Sequence, residues 1–176
     1  MDEFGPLNLL PRGGGCLSGP GKRVERHRAT YSRKGGVRHL LAAYDLESDK
    51  LFGRFYERKT WEQFLDFLKW LRRRYRKGRT LHVVLDNHGP HIKAEAVAWA
   101  REHEIGFYLT ATNASWMNRI ECHFTELKEF ALANPDYRTH EELQAAIESY
   151  LAWRNGDRPI GKQRWEEFKK AKRAAG

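Results

Sequence analysis

Apolar and polar positions along the chain predict a β-hairpin first and then a regular succession of helices and strands. Residues 37–44 form an apolar run, residues 45–50 a polar turn and residues 51–56 a second run, the pattern of a hairpin. Between residues 61 and 71, apolar side chains recur at i, i+3, i+4, i+7 and i+10, the period of an amphipathic helix, and Thr60 is placed to cap it. A helix therefore follows the hairpin.

A short apolar strand at residues 81–85 ends abruptly on Asp86. Four of its five residues are apolar and two, Val83 and Val84, are β-branched, which predicts a strand buried on both faces. Asn87 and the Gly-Pro pair that follows it end the strand. Open α/β sheets bind ligands at the carboxyl ends of their strands, so Asp86 is a candidate functional acid. The alternative is that it merely begins a turn.

The rest of the chain continues the alternation. Residues 94–100 predict a helix and residues 105–109 a strand. A further helix opens with Ser115 as its cap, and its apolar stripe is assigned to the core; the stripe consists of Trp116, Ile120, Phe124, Leu127 and Phe130. A capping-box pattern at residues 139–142 begins the last helix. The order predicts an α/β fold with a mixed sheet of about five strands flanked by helices, in one domain over residues 1–176.

Composition narrows the class of protein. Hydrophobic residues at 40% and aromatic residues at 12% are typical of a globular domain with a core. No apolar run approaches the roughly 18 residues of a membrane span, and no signal-peptide pattern opens the chain. We therefore expect a soluble cytoplasmic protein with no membrane partner. Cys16 and Cys122 are isolated, and the glycine-rich segment 11–21 lacks a phosphate-loop pattern.

The formal net charge of +9 predicts a polyanionic partner, of which nucleic acid is the most common. Cations cluster in residues 22–34, 69–79 and 154–173. For any one cluster, the alternative is a solvated face that aids solubility. The middle cluster supplies the candidate DNA-binding residues, which are Lys69, Arg72, Arg73, Arg74, Arg76, Lys77 and Arg79.

Glu121 is a second candidate acid, and 34 residues lie between it and Asp86. On the helical period Glu121 lies about 140° from Trp116, away from the centre of the apolar stripe, so it can face a groove. The helix and strand between the two acids can bring the start of this helix beside the end of the earlier strand. A solvated surface glutamate is the alternative.

Four segments together resemble a known family. DNHGPH at 86–91 and ASWMNRIE at 114–121, with the interval between them, look like the catalytic core of bacterial insertion-sequence transposases of the mariner superfamily. DEFGPLNL at 2–9 resembles the first acidic motif of that family, and YLAWRN at 150–155 resembles its closing helix. The resemblance spans nearly the whole chain.

This resemblance implies a ribonuclease-H-like fold and a catalytic triad of Asp2, Asp86 and Glu121 that binds two Mg²⁺ ions, with Mn²⁺ as a substitute. Carboxylate oxygens are the ligands that such ions prefer, and three converging carboxylates would repel one another without a cation. In the family, water hydrolyses a strand at the element's end, and the freed 3′-hydroxyl then attacks target DNA. The implied partners are transposon ends and target DNA in the bacterial nucleoid, bound by a homodimer, with no small-molecule substrate.

Asn87, His91 and Asn118 are candidate supporting residues of this triad. Asn118 lies one turn before the glutamate, where it could orient a ligand water or satisfy the start of the helix. His88 and His91 could form a metal pair, but hydrogen bonding near Asp86 is favoured over ligation.

The first acid is the least secure member. Asp45 also ends a strand and is an alternative to Asp2, although it begins a hairpin turn. Family members carry an N-terminal helix-turn-helix region and most of a central strand before the first acid, whereas here Met1 alone precedes Asp2. The expectation is a truncated remnant that keeps the fold. Two functions follow: a metal-dependent DNA endonuclease and strand transferase, or a catalytically inactive, basic DNA-binding remnant.

Overall fold

The computed structural model describes residues 1–9, 36–111, 118–132 and 137–156. These residues form five strands and four helices: β1 (Asp2–Leu7), β2 (Arg38–Asp45), β3 (Lys50–Tyr56), α1 (Trp61–Arg72), β4 (Leu81–Leu85), α2 (Ala94–Glu102), β5 (Ile105–Leu109), α3 (Ile120–Leu132) and α4 (His140–Arg154). From the hairpin to β5, every predicted element is confirmed, with bounds that differ by two residues or fewer. No helix in these ranges is both long and apolar enough to cross a bilayer.

The structure differs from the prediction at β1 and at the start of α3. β1 was not predicted as a strand, because its sequence DEFGPL combines acids with Gly and Pro rather than an apolar alternation. Helix α3 begins at Ile120, later than predicted, after a turn in which the Glu121 amide donates to the Asn118 carbonyl at 3.1 Å. The predictions for Cys16, Ser115, Trp116, the glycine-rich segment, the cluster 22–34 and positions 157–173 of the last cluster lie outside the described residues.

The strands form two sheets instead of the predicted sheet of about five. β1, β2 and β3 are antiparallel in that order, while β4 and β5 pair in parallel. The two sheets meet where the Met1 nitrogen donates to the Val84 carbonyl at 2.7 Å, a single bond rather than a ladder. Pro6 further limits pairing by β1, since proline has no N–H, and the β1–β2 register shifts between Phe4 and Leu7.

β4 is buried on one face, and the prediction of burial on both faces was wrong. Val83 and Leu85 are buried, whereas His82 and Val84 are exposed, Val84 by 42%. The exposed face borders a cavity of about 450 Å³ that lies between β4, the β2–β3 turn and the residues that precede α3. A strand with alternating burial has one open face, which an apolar run does not reveal.

Two hydrophobic cores lie on opposite faces of the antiparallel sheet. β2 contributes to both, because successive side chains of a strand point to opposite faces. Leu40 and Ala42 pack with α3 and α4, while Leu41 and Ala43 pack with α1, α2 and the second sheet. The helices therefore cover both faces of the antiparallel sheet. The place where β1 meets β4 lies between these two helical layers.

Side-chain caps fix the ends of the helices. Thr60 and Gln63 form a capping box at the start of α1. At α4 the Thr139 hydroxyl accepts from the Glu142 amide at 3.3 Å, as predicted, but the Glu142 carboxylate accepts from the Arg138 amide at 2.7 Å and not from that of Thr139. At the other end of α4, the Asn155 amide accepts from Leu51 N at 2.8 Å and donates to Leu51 O at 2.9 Å. This exchange joins α4 to β3.

The core of α1 makes a first prediction. Leu68→Ala should lower the free energy of unfolding by about 3–5 kcal/mol, because Leu68 is completely buried and its truncation leaves a cavity. The matched control is Leu46→Ala in the β2–β3 turn, where the side chain is 67% exposed and the expected loss is below about 0.5 kcal/mol. Urea denaturation of both variants measures the difference. Equal losses would contradict the packing described for α1.

Candidate metal centre

Asp2 and Asp86 lie within electrostatic reach of each other, where the start of β1 comes beside the end of β4. Asp2 is buried, with 8% of its surface exposed, and Asp86 directly follows the last residue of β4. One oxygen of Asp2 accepts from the Glu3 amide at 2.7 Å, and the other accepts from the Asn118 side chain at 3.1 Å. Burial raises the pKa of Asp2, and the neighbouring charge of Asp86 raises it further.

Glu121 joins these two acids from the first turn of α3. Burial raises the pKa of Glu121, and so do the charge of Asp2, a hydrogen bond between the two carboxyl groups and the charge of Asp86. The three predicted acids therefore lie close enough for their charges to disfavour the ionised forms of Asp2 and Glu121. A set of carboxylates in this state is stabilised by any divalent cation placed among them. The donor set, three carboxyl groups, fits the oxygen preference of Mg²⁺ or Mn²⁺.

Asn118 ties the first acid to α3. Its amide donates to the Met1 carbonyl at 3.0 Å as well as to Asp2, and its side chain is 3% exposed. Its amide therefore orients the first acid. Asn87 lies elsewhere: its amide donates to the Thr110 carbonyl at 2.9 Å and so joins the turn after β4 to the residue that follows β5.

His91 links Asp86 to Glu3, a residue that the sequence patterns did not single out. Its Nδ1 lies 2.8 Å from Asp86 Oδ1, as the favoured hydrogen bonding near Asp86 predicted, and its Nε2 lies 3.2 Å from Glu3 Oε1. Burial lowers the pKa of His91, but the Glu3 and Asp86 carboxylates outweigh it, so that the pKa is raised overall. Burial raises the pKa of Glu3, and the two histidines, His91 foremost, outweigh it and lower that pKa.

Glu3 and its neighbours also form a set of side chains of the kinds that bind metal ions. Within the described ranges, Glu3, His88 and His91 are a set of three whose donor atoms all lie within 4.8 Å of one another. His88 Nδ1 is 3.2 Å from Glu3 Oε1, and the His88 backbone amide donates to Asp86 Oδ1 at 3.2 Å. The sequence indicated His88 and His91 as a possible metal pair and favoured hydrogen bonding over ligation; Glu3 was not indicated, because it comes from a distant part of the chain.

Asp45, the alternative first acid, has a structural position in the hairpin turn. One carboxylate oxygen accepts from the Glu47 amide at 2.9 Å, and the other accepts from the Ser48 hydroxyl at 2.7 Å and the Tyr75 hydroxyl at 3.1 Å. Burial raises the pKa of Asp45, but these hydrogen bonds outweigh it and lower the pKa overall. These hydrogen bonds give Asp45 a structural role, which is to stabilise the hairpin turn.

The cluster 69–79 contains two kinds of cation. Arg72 turns inward: its guanidinium donates to the His103 carbonyl at 2.9 Å and pairs with Glu104 at 2.8 Å. Its side chain is 10% exposed, so this residue holds the end of α1 to the loop before β5. Lys69 lies over the Trp99 ring and is half-buried. The exposed cations of the cluster are Arg73, Arg74, Arg76, Lys77 and Arg79.

Comparison with solved structures places the fold in a known class. The fold is similar to that of a chain in the cryoEM structure of the simian T-cell lymphotropic virus intasome in complex with PP2A regulatory subunit B56 gamma, with a TM-score of 0.53 at 18% identity. The match covers 66% of this chain and 43% of that one, so this chain spans less than half the length of its structural relative. The likeness is one of fold alone and supports the predicted ribonuclease-H-like α/β architecture, with helices on both faces of the antiparallel sheet.

The family follows from the sequence. The model of the DDE superfamily endonuclease family matches residues 1–144, a span that contains all three acids, and the chain belongs to that family. Comparison with curated proteins gives no match.

Repulsion within the acidic site makes a second prediction. Glu121→Gln should raise the free energy of unfolding of metal-free protein at pH 7 by roughly 0.5–1 kcal/mol, a figure reduced for the partial exposure of Glu121. The sign follows from the raised pKa: the ionised carboxyl costs stability once the pH exceeds its ordinary range. Urea denaturation in EDTA measures the gain, and saturating Mg²⁺ should remove it.

The matched control is Glu102→Gln, at the exposed end of α2, which should change stability by less than about 0.5 kcal/mol in either buffer. A destabilised Glu121→Gln protein in EDTA would show that the three carboxylates do not repel one another.

Proposed function

We propose that this chain is the catalytic domain of a metal-dependent DNA endonuclease and strand transferase, with Asp2, Asp86 and Glu121 as the ligands of two Mg²⁺ or Mn²⁺ ions. The observation that carries the proposal is the proximity of the three carboxyl groups: beyond the effect of burial, the charge of Asp86 raises the pKa of Asp2, and the charge of Asp2, a hydrogen bond with it and the charge of Asp86 raise the pKa of Glu121. When bound, such ions activate the attacking oxygen and stabilise the leaving oxygen of an in-line displacement.

The protein's own residues hold the acids in place, and each acid has its own set of contacts. Asn118 and the Glu3 amide fix the two oxygens of Asp2. His91 and the His88 amide both contact Oδ1 of Asp86, and neither contact uses Oδ2. Catalytic constellations need ligands held within about half an ångström, and hydrogen bonds to neighbouring side chains provide that precision.

Glu121 gains its position from the start of α3. A carboxylate in the first turn of a helix is stabilised by the exposed amides and the helix dipole, which partly offsets the repulsion from the other acids. This position places the third acid on an element separate from the two strands. The site therefore draws on β1, β4 and α3, which the two cores hold together.

DNA is the substrate that this site and the surface charge favour. The net charge of +9 and the exposed cations at the end of α1 suit a phosphate backbone. Within the family, the motifs around the three acids support a bacterial insertion-sequence transposase of the mariner superfamily. The substrates of such a protein are transposon ends and target DNA in the nucleoid, and a homodimer would hold the two ends.

A cleavage assay tests the catalytic proposal. With Mn²⁺ or Mg²⁺ the protein should nick supercoiled plasmid DNA, and Asp86→Asn or Glu121→Gln should reduce the rate at least about 100-fold, since loss of a metal ligand removes several kcal/mol of transition-state stabilisation. EDTA should abolish nicking. The control, Glu102→Gln, should nick at the original rate, and the far-ultraviolet circular dichroism of every variant should match that of the parent protein.

Nicking that persists in both Asp86→Asn and Glu121→Gln would assign the activity to other residues. DNA binding without nicking in any divalent ion would favour the second candidate function.

That second candidate is a basic DNA-binding protein without catalysis, favoured by the exposed cations that follow α1. Replacing Arg73, Arg76 and Lys77 together with Gln should reduce the slope of log K against log salt by up to about 2.7, because each phosphate contact contributes about 0.9. Fluorescence anisotropy with duplex DNA at several salt concentrations measures the slope.

The control for this experiment replaces the exposed cations Lys93 and Arg101, which flank or lie in α2, with Gln. A larger loss of slope in the control would move the DNA interface away from the end of α1. Asp86→Ala and Glu121→Ala should leave binding intact if binding is the sole function.

A further inference from the structure

Glu3, His88 and His91 form a cluster beside the three acids, with a different chemistry. Two imidazole nitrogens and one carboxylate oxygen meet at one point, and Glu3 Oε1 lies 3.2 Å from both His88 Nδ1 and His91 Nε2. Mg²⁺ prefers oxygen ligands, whereas imidazole suits zinc and related transition-metal ions. The donor set of this cluster therefore differs from that of the acidic centre.

The distances fit a tetrahedral ion. Zinc binds His nitrogen and Glu oxygen at roughly 2.0–2.2 Å, so two ligands of one tetrahedral ion lie about 3.3–3.4 Å apart. The two separations that involve Glu3 are 3.2 Å, and all three donor atoms lie within 4.8 Å of one another. The His88 side chain is 37% exposed, so solvent can reach this end of the cluster.

His91 provides an independent observation. It is completely buried, and its Nε2 makes no well-directed hydrogen bond to any described residue, although the nearest Glu3 oxygen is 3.2 Å away. A buried ring nitrogen without a hydrogen bond is costly and calls for an explanation. A metal ion bound between Nε2 and the Glu3 carboxylate gives this nitrogen a well-directed partner.

The other nitrogen of His91 is placed as ligating histidines usually require. Its Nδ1 lies 2.8 Å from Asp86 Oδ1, and a carboxylate that accepts from Nδ1 leaves the Nε2 lone pair for a metal. The ring packs against Phe64, with centroids 4.5 Å apart, so its orientation is fixed by the core. The exposed side of His88 leaves room for water as a fourth ligand.

We propose that Glu3, His88 and His91 bind one divalent ion of the zinc class, at a site separate from the three acids. The ion joins β1 to the turn between β4 and α2 and holds Asp86 through His91. Its role is to fix the two strands that carry Asp2 and Asp86. The site rests on these three side chains and is independent of the proposed cleavage of DNA.

Titration calorimetry with ZnCl₂ tests the site in the full chain. Protein freed of metal and then saturated with Mg²⁺ should bind one zinc ion per chain, and His88→Ala should weaken the binding at least about 10-fold. The matched control is His82→Ala, an exposed histidine on β4, which should bind zinc as the parent protein does. Asp2→Asn combined with Glu121→Gln should also retain the zinc ion, which separates this site from the acidic centre.

Cobalt gives a second readout that does not depend on activity. Co²⁺ in place of zinc should produce visible absorption bands of a low-coordinate nitrogen and oxygen site, and these bands should be lost in Glu3→Gln and kept in His82→Ala. Three results would overturn the proposal: no zinc bound in the presence of Mg²⁺, equal affinity in His88→Ala and the parent protein, or zinc lost with Asp2 and Glu121 but kept without His88. A protein that cleaves DNA yet binds no zinc would refute this site alone.

Discussion

The meeting of β1 with the end of β4 is the constraint on which the acidic centre depends. It places Asp2 beside Asp86 through one hydrogen bond from Met1 to Val84 and through the Asn118 amide, which reaches both Met1 and Asp2 from the turn before α3. Few backbone bonds join the two sheets, so the packing of the two cores carries most of this alignment. The geometry of the site is therefore a consequence of how the helices cover both faces of the sheet.

Electrostatics opposes that arrangement. Asp2 and Glu121 are partly removed from water and lie near a third acid, and both effects raise the pKa of each. Sites that store repulsion in this way are common at functional centres, because the same fields that disfavour bare carboxylates favour a bound cation. In the proposed function, the stability given up by the metal-free fold is linked to the affinity of the site for a divalent ion.

Much of the fold could be predicted from periodicity, and the failures have physical causes. The helix at residues 61–72 and the strand before Asp86 were predicted because their apolar spacing is regular. β1 was missed because glycine and proline interrupt it, and the exposed face of β4 was missed because an apolar run gives no sign of an open side. Arg72 shows the same limit for charge: its place in a basic cluster predicted a DNA contact, while its guanidinium binds backbone carbonyls and Glu104.

Some residues of the candidate site could be predicted from local sequence patterns, whereas others depend on residues that lie far away in the chain. The positions of Asp86 and Glu121 were predictable, since each depends on one regular element and on the interval between them. Glu3 was not predictable, because its meaning depends on His91, which lies far away in the sequence and reaches it across the meeting of the sheets. Side chains at successive positions of a strand point to opposite faces, so β1 can direct Asp2 toward Asn118 and Glu3 toward the two histidines. One short strand thereby supplies a carboxylate to each of the two proposed centres, and Asp86 connects them, because His91 contacts one of its oxygens while its charge acts on Asp2 and Glu121.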